Sequence, residues 1–234
     1  AAKTPHFLIF NHFHGLHGRA IPVATGAKIA HHALTILVNT GDGDCYGEGG
    51  NHFITAVRRN IDLTVLVHNN KVYGLTKGQA SPTSDLDMKT RAQPHGVILE
   101  PFHALAVALA LRCGFVARGF AGNADQLSGL IRTAIAHNGF SLIDILQPCV
   151  SYNHIHTYQW YSSRVYDLAE EQHDSGNYEA ACEKAQEWGD RIPTGILYQK
   201  EGPSFTDKIQ TLQKGPLLDR EYDKQKLDAI LARL

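Results

Sequence analysis

The chain has 234 residues and is 43% hydrophobic, enough for one large α/β domain with a full core and an appended segment. Twenty-two Lys and Arg against twenty-three Asp and Glu leave a formal charge of -1, so nothing in the charge asks for a nucleic acid or an anionic membrane as partner. No stretch approaches the roughly 20 apolar residues of a membrane span, and the opening AAKTPHFLIFNHFHG lacks the basic-then-apolar layout of a signal peptide, so a cytoplasmic protein working on small molecules or proteins is expected.

Pro22 followed by a small-residue run predicts a helix over 22–30 with proline in its first turn. Residues 34–38 read as a buried strand, with Leu34, Ile36 and Val38 as core, and the Gly41-Asp42-Gly43 turn follows. A helix is predicted over 49–60, with Phe53, Ile54 and Val57 on one face and Arg58-Arg59 at the end where cations complement its dipole. Residues 63–67 form the next strand and complete a βαβ unit, which ends in the long polar loop VHNNKVYGLTKGQASPTS. Loops at strand ends commonly carry function. Further on come a helix over 102–113, strands over 115–120 and 142–146, and a helix over 124–137 between them. That alternation predicts an α/β fold, a parallel sheet with helices on both faces, with ligands at the carboxyl ends of the strands. Beyond Cys149, surface helices are predicted over 158–171 and 178–188, a strand over 194–198 and a charged terminal helix over 219–234. The expected division is an α/β domain over 1–200 and a C-terminal helical extension over 201–234.

Cys45, Cys113, Cys149 and Cys182 lie far apart and form no Cys-x-x-Cys pair, so reduced thiols are expected, not a disulfide framework or a zinc knuckle. His12-x-His14-x-x-His17 and His154-x-His156 lack the further ligands that would close a zinc shell; structural or substrate-facing roles are expected of them.

Asp42 sits between two glycines at the end of one strand, and Asn69-Asn70 sits at the end of the next. Adjacent parallel strands bring such ends to roughly 5 Å, so the Asp42 carboxylate and the Asn70 amide oxygen can share one hard cation. Magnesium takes oxygen ligands and completes its shell with phosphate oxygens, carbonyls and water. On this reading the glycines admit a diphosphate, the aspartate holds the metal, and the metal cancels the repulsion between acid and phosphate.

A GDG turn after a strand, with asparagine at the end of the following strand, resembles the thiamine diphosphate motif. The blocks HGLHGRAIPVATGAKIA, GDGDCYGEGGNHF, RRNIDLTVLVHNN, YGLTKGQASPTS and ILQPCVSYN occur in that order. Together they are similar to the beta subunit of the 2-oxoacid:ferredoxin oxidoreductases, from Ala1 to about Tyr198. The resemblance implies the diphosphate-binding domain of the thiamine diphosphate-binding fold, with magnesium held by Asp42, the Asn70 side chain and the Val72 carbonyl. It implies a cofactor cradle of Gly41, Asp42, Gly43, Asp44, Asn70, Val72, Gly74, Leu75 and Thr76. Thr76 and Gln79 match a loop around the cofactor, with loop capping as the plainer alternative. His17 and Arg19 match a block facing cofactor or substrate, the alternative for Arg19 being a surface ion pair. Lys3 matches a lysine that meets the 2-oxoacid carboxylate.

The implied reaction joins a 2-oxoacid, 2-oxoglutarate by preference, to coenzyme A with loss of carbon dioxide, and passes electrons through an iron-sulfur cluster to ferredoxin. An alpha subunit would bind the pyrimidine ring and supply the activating glutamate. Asp44 and Glu48, the tempting local acids, are therefore not expected to activate the cofactor, and the chain by itself should lack a complete active site. Cys149 matches the fourth thiolate of a [4Fe-4S] cluster, whose remaining ligands are expected upstream of Ala1. Either the chain is truncated there, which is the expectation, or this homologue builds no cluster. A non-oxidative thiamine diphosphate-dependent decarboxylase or synthase subunit is the runner-up; a non-catalytic module is disfavoured because nothing structural requires an acid at Asp42.

Overall fold

The βαβ unit expected near the head of the chain is present, with its first strand displaced by three residues. The computed structural model describes residues 4–221 and 223–233, so Lys3, an expected substrate contact, lies outside the described residues. Helix α1 (Ala20–Ala30) carries Pro22 in its first turn and leads to strand β1 (Leu37–Gly41). The strand starts later than predicted because it is the outermost strand of the sheet, and its ladder begins only where Leu37 meets Thr64. Leu34 is consequently 45% exposed, Ile36 is partly buried, and Val38 alone of the three is fully in the core.

Gly43–Glu48 winds into one wide π-helical turn before helix α2 (Gly50–Arg59), which buries Phe53, Ala56 and Val57 and stops at Asn60 in the left-handed region. Strand β2 (Leu63–Asn69) runs parallel to β1, with Gly41 opposite His68. A short hairpin, β3 (Val72–Tyr73) and β4 (Gln79–Ala80), folds the polar loop back toward the strand ends. Helix α3 (Ala104–Ala110) is shorter than the predicted 102–113, and the chain turns out of it at Arg112, φ 60°. Strand β5 (Phe115–Phe120), helix α4 (Ala124–Ala136), capped by the Asn123 side chain, and strand β6 (Phe140–Leu146) follow as expected.

The predicted surface helix over 158–171 is replaced by α5 (Tyr158–Ser162) and strand β7 (Val165–Asp167). Tyr161, 1% exposed, is packed with Phe120, Leu146 and Ile192, and Val165–Asp167 pairs with strand β8 (Ile192–Gln199), contacts that no local periodicity announces. Helix α6 (Tyr178–Gln186) precedes β8 and is capped by Asn177. The predicted terminal helix over 219–234 is reduced to α7 (Lys224–Leu231), because the Asp223 side chain accepts the Lys226 N–H and sets the start there.

The sheet order is β1-β2-β6-β5-β8-β7. The first four strands run parallel; β8 is antiparallel to β5, so the expected parallel sheet carries a reversed outer pair. Phe53, Val65, Val67, Leu109 and Leu142 belong to the core under α1, α2, α3 and α6, while Leu66, Ala117, Ile143 and Ile145 pack under α4 on the opposite face. Each fully buried side chain of this size stabilises the fold by roughly 1.5–3 kcal/mol. The parallel register brings the carboxyl ends of β1, β2 and β6 to one edge, where Asn69 lies opposite Leu146.

Candidate functional site

Asp42 follows the last residue of β1, and Asn70 follows the last residue of β2. The Asp42 side chain is almost wholly enclosed, at 2% exposure. Its Oδ2 accepts hydrogen bonds from Ser81 Oγ at 2.6 Å and Thr83 Oγ1 at 2.7 Å. Among the described residues no Lys, Arg or His forms an ion pair with it. Burial pushes its pKa up, against those hydroxyl bonds, and the Asp144 charge adds to the rise. A buried carboxylate without an ion-pair partner is costly in its charged form. Asn70 Oδ1 accepts the Val72 N–H at 3.1 Å, which folds the two other predicted metal-side residues into one tight turn. Among the described residues no group of three or more His, Cys, Asp and Glu gathers to hold a metal. The groups that could hold a metal at this edge are the Asp42 carboxylate, the Asn70 amide oxygen and the Val72 carbonyl, hard oxygen donors of the kind magnesium takes.

The glycines divide into two kinds. A Cβ at Gly41 would meet nothing within 4 Å, which leaves room for a ligand against the backbone. A Cβ at Gly43 would lie 2.2 Å from Tyr73 Cε1, and one at Gly47 would lie 2.6 Å from Tyr73 Oη. The turn is therefore a socket for the Tyr73 ring, and only Gly41 of the GDG pair faces open space. Tyr73 is a residue that sequence reasoning passed over.

The His17-Gly18-Arg19 block docks on the same turn. The Gly18 N–H donates to Asp44 Oδ1, and Gly18 takes φ 74°. His17 Nδ1 lies 3.2 Å from Asp44 Oδ1, and its Nε2 lies 2.9 Å from Glu48 Oε2. Thr40 donates to Asp44 at 2.7 Å and Tyr73 to Glu48 at 3.1 Å, so both local acids are engaged by this chain's own groups. Burial, then Glu48, pushes the Tyr73 phenol up. Arg19 is exposed and turns to His52, with Nη1 2.8 Å from Nε2, and forms no ion pair among the described residues. Thr76 donates to Gln79 Oε1 at 2.5 Å, the loop-capping arrangement, while Leu75 beside it is 85% exposed.

Cys149 Sγ lies 3.5 Å from where a Cβ on Gly74 would stand, so the structure does bring this thiol to the Asn70–Thr76 loop. The two segments are stapled together: Asn153 Nδ2 donates to the Asn70 carbonyl at 3.0 Å, and the Asn153 N–H to the Cys149 carbonyl at 3.1 Å. Cys45 and Cys113 are buried, and Cys182 is on α6. The described residues thus bring one thiol here where a [4Fe-4S] cluster takes four ligands, and they do not fit a cluster by themselves.

Beneath the strand ends lies a buried polar network. Thr83 Oγ1 is 2.9 Å from Asn69 Oδ1, Asn69 Nδ2 donates to both Asp144 oxygens at 3.2 and 3.3 Å, and Tyr46 donates to Asp144 at 2.8 Å. Burial raises the Asp144 carboxyl, opposed by Arg118, its register partner on β5. Alongside, Lys71 Nζ reaches Asp85 Oδ1 at 2.6 Å and His156 Nε2 reaches Asp85 Oδ2 at 2.7 Å. Burial alone would raise Asp85, but His156 and Lys71 outweigh it and hold the carboxyl at about 2. Asn69, Lys71, Asp85, Arg118, Asp144 and Trp188 line a cavity of about 70 Å³. One signal for this network is visible in the sequence: Asp144 is the lone charge in the apolar strand FSLIDIL, and a buried charge needs partners.

Residues 1–145 match the profile of the thiamine pyrophosphate enzyme C-terminal TPP binding domain, and residues 149–214 match that of the C-terminal part of the pyruvate ferredoxin oxidoreductase beta subunit. The chain is 46% identical over 213 residues to a 2-oxoacid:ferredoxin oxidoreductase subunit beta of Saccharolobus solfataricus, a match covering 86% of this chain and 70% of that relative. It is 44% identical over 223 residues to the subunit of the same description from a Sulfolobus species, covering 90% of this chain and 73% of that one. Among solved structures it is similar to a 2-oxoglutarate:ferredoxin oxidoreductase from Magnetococcus marinus with 2-oxoglutarate, coenzyme A and succinyl-CoA bound. That match has a TM-score of 0.83 at 36% identity and covers 92% of this chain and 73% of that one. No helix among the described residues is long and apolar enough to cross a membrane.

Proposed function

The chain belongs to the beta subunits of the 2-oxoacid:ferredoxin oxidoreductases, and from that premise we propose that it holds magnesium and thiamine diphosphate at the edge formed by Asp42, Asn70 and Val72 and serves the CoA-acylating oxidative decarboxylation of a 2-oxoacid. The observation that carries this reading is the enclosed Asp42 carboxylate, which forms no ion pair among the described residues and follows β1, the neighbour of the strand that leads into the Asn70–Val72 turn. When bound, thiamine diphosphate supplies the nucleophilic carbon and the electron sink for decarboxylation. The chain's own residues bind and orient. Asp42, the Asn70 amide oxygen and the Val72 carbonyl take the metal; Gly41 leaves the backbone open to the diphosphate; Gly74, Leu75 and Thr76 flank it; His17, held by Asp44 and Glu48, and Arg19 face cofactor or substrate, and Lys3 meets the substrate carboxylate.

Asp44 and Glu48 are both occupied by His17, Gly18, Thr40 and Tyr73, which supports an activating glutamate supplied by an alpha partner. Coenzyme A and the 2-oxoacid are the substrates on this reading, with ferredoxin as electron acceptor; Cys149 would give one thiolate to a [4Fe-4S] cluster, which would supply the one-electron carrier between them. The staple between the Cys149 loop and Asn70 favours this over a non-oxidative decarboxylase or synthase, which has no use for a thiol at that place. We rank 2-oxoglutarate first because the similar solved structure holds it. A cytoplasmic site of action, a cofactor domain over 1–200 and an extension over 201–234 complete the proposal.

The test is calorimetry of thiamine diphosphate with Mg²⁺ on the assembled complex. Asp42→Ala is expected to abolish magnesium-dependent binding while the chain still folds; undiminished binding in that variant refutes the assignment. Comparing kcat/KM for 2-oxoglutarate, pyruvate and a branched-chain 2-oxoacid tests the ranking, and a large preference for pyruvate reverses it.

A further inference from the structure

Thr83 has one hydroxyl proton and faces two acceptors. Its Oγ1 lies 2.7 Å from Asp42 Oδ2 and 2.9 Å from Asn69 Oδ1. Ser81 Oγ reaches the same Asp42 oxygen at 2.6 Å and lies 3.2 Å from Thr83 Oγ1. All four side chains belong to buried residues. The directions of these bonds follow from their neighbours. Asn69 turns its NH₂ to the Asp144 carboxylate, so its oxygen, facing Thr83, only accepts, and it already receives the Lys71 N–H at 3.3 Å. The Thr83 proton is therefore shared between two acceptors, of which the Asp42 carboxylate is the nearer and the stronger. Both hydroxyl bonds fall on Oδ2, and Oδ1 has no side-chain donor among the described residues.

The 81–84 loop that carries these hydroxyls is itself fixed to the end of β2. Ser84 Oγ donates to the Lys71 carbonyl at 2.6 Å and accepts the Ser81 N–H at 2.9 Å, and Lys71 Nζ donates to the Thr83 carbonyl at 2.9 Å. Lys71 lies between Asn70 and Val72 in the chain. One loop thus grips the aspartate after β1 and the backbone between the two metal-side residues after β2.

We propose that Thr83, seconded by Ser81, is a positioning residue for the metal site: the hydroxyls pin Asp42 Oδ2, present Oδ1 to the cation, and hold the two strand ends at the separation the cation needs. This rests on the reading of Asp42 as a magnesium ligand. It goes beyond that reading by making affinity depend on a hydroxyl that does not touch the metal. Ligand-orienting partners of this kind are typically worth about 10–100-fold in metal affinity.

Thr83→Val keeps the shape and removes the hydroxyl, and Thr83→Ser keeps the hydroxyl. Magnesium affinity is measured by calorimetry on the assembled complex at saturating thiamine diphosphate, with no turnover needed. Thr83→Val is expected to weaken Mg²⁺ by at least ~10-fold, and Thr83→Ser is expected to stay within about threefold of wild type. Ser81→Ala, which removes the other hydroxyl without touching Thr83, is expected to weaken Mg²⁺ too and carries the test if the valine variant does not fold. Wild-type affinity in Thr83→Val or in Ser81→Ala overturns the proposal. So does a serine variant as weak as the valine one, because the methyl group and not the hydroxyl would then matter. Absence of magnesium-dependent cofactor binding in the wild type would instead remove the reading of Asp42, and this inference with it.

Discussion

Asp85 joins three segments of the site, and its removal should be felt through Lys71. In Asp85→Ala the carboxylate that bonds Lys71 Nζ at 2.6 Å and His156 Nε2 at 2.7 Å is lost. Two magnitudes bear on the cost. The fall of the Asp85 carboxyl from its ordinary 3.8 to about 2 corresponds to about 2 kcal/mol. Asp85 is 32% exposed at its side chain, and solvent screening reduces this to about 1–1.5 kcal/mol. Lys71 is the more enclosed partner, 6% exposed at its side chain, and stranding a buried charge costs about 3–5 kcal/mol. The Thr83 carbonyl and the face of Trp188, 4.3 Å from the ammonium, soften that loss. The expected destabilisation is about 3 kcal/mol, or about 6–12 °C in Tm for a chain of this size.

The pH dependence has a definite sign. A carboxyl whose folded pKa is depressed contributes fully above its unfolded value and loses the contribution as pH falls through the folded one. The gap between wild type and Asp85→Ala should therefore be constant near neutrality and narrow from about pH 4 toward about pH 2. Urea unfolding followed by circular dichroism at several pH values measures this. A cycle with Lys71→Met isolates the pair: with both partners gone no charge is stranded, so the double variant should be less destabilised than the sum of the singles by about 2 kcal/mol. Additive single effects, or a gap that does not narrow in acid, would refute the argument.

Gly43→Ala should lower thermal stability by about 1–3 kcal/mol through overpacking, since its Cβ would sit 2.2 Å from the Tyr73 ring; the loss should largely vanish in a Tyr73→Ala background, and an equal loss there would contradict the socket. Cys149→Ala in the assembled complex should remove the cluster's iron and visible absorption, whereas an unchanged spectrum would make Cys149 an ordinary loop thiol. The purified single chain should not turn over a 2-oxoacid, and adding an alpha partner should restore turnover; full activity of the chain alone would refute the division of the active site.

Local pattern alone was enough for α2, β2, β5, α4 and β6, because in each a predominantly apolar period is bounded by turn residues, even where Arg118 and Asp144 interrupt it. It was also enough to place Asp42 and Asn70 at neighbouring strand ends, since a βαβ unit brings consecutive carboxyl ends to one edge whatever covers them. His17 was legible only through resemblance, and its grip on Asp44 and Glu48 came from the fold. The late start of β1, the reversed β8 and the shortening of the 158–171 helix depend on which strand is outermost and on what Tyr161 packs against. The demand for glycine at position 43 is made by a tyrosine thirty residues along the chain, although the sequence by itself suggests a phosphate. The partners of Ser81, Thr83 and Asp85 are set only when the hairpin of β3 and β4 brings the segment after it back to the ends of β1 and β2, where Asp42 and Lys71 meet it and His156 reaches Asp85 from beyond β6. The physical reason is common to all of these: periodicity reports which side of an element is buried, whereas the partner that satisfies a buried polar group is chosen by the tertiary fold, from residues distant in sequence.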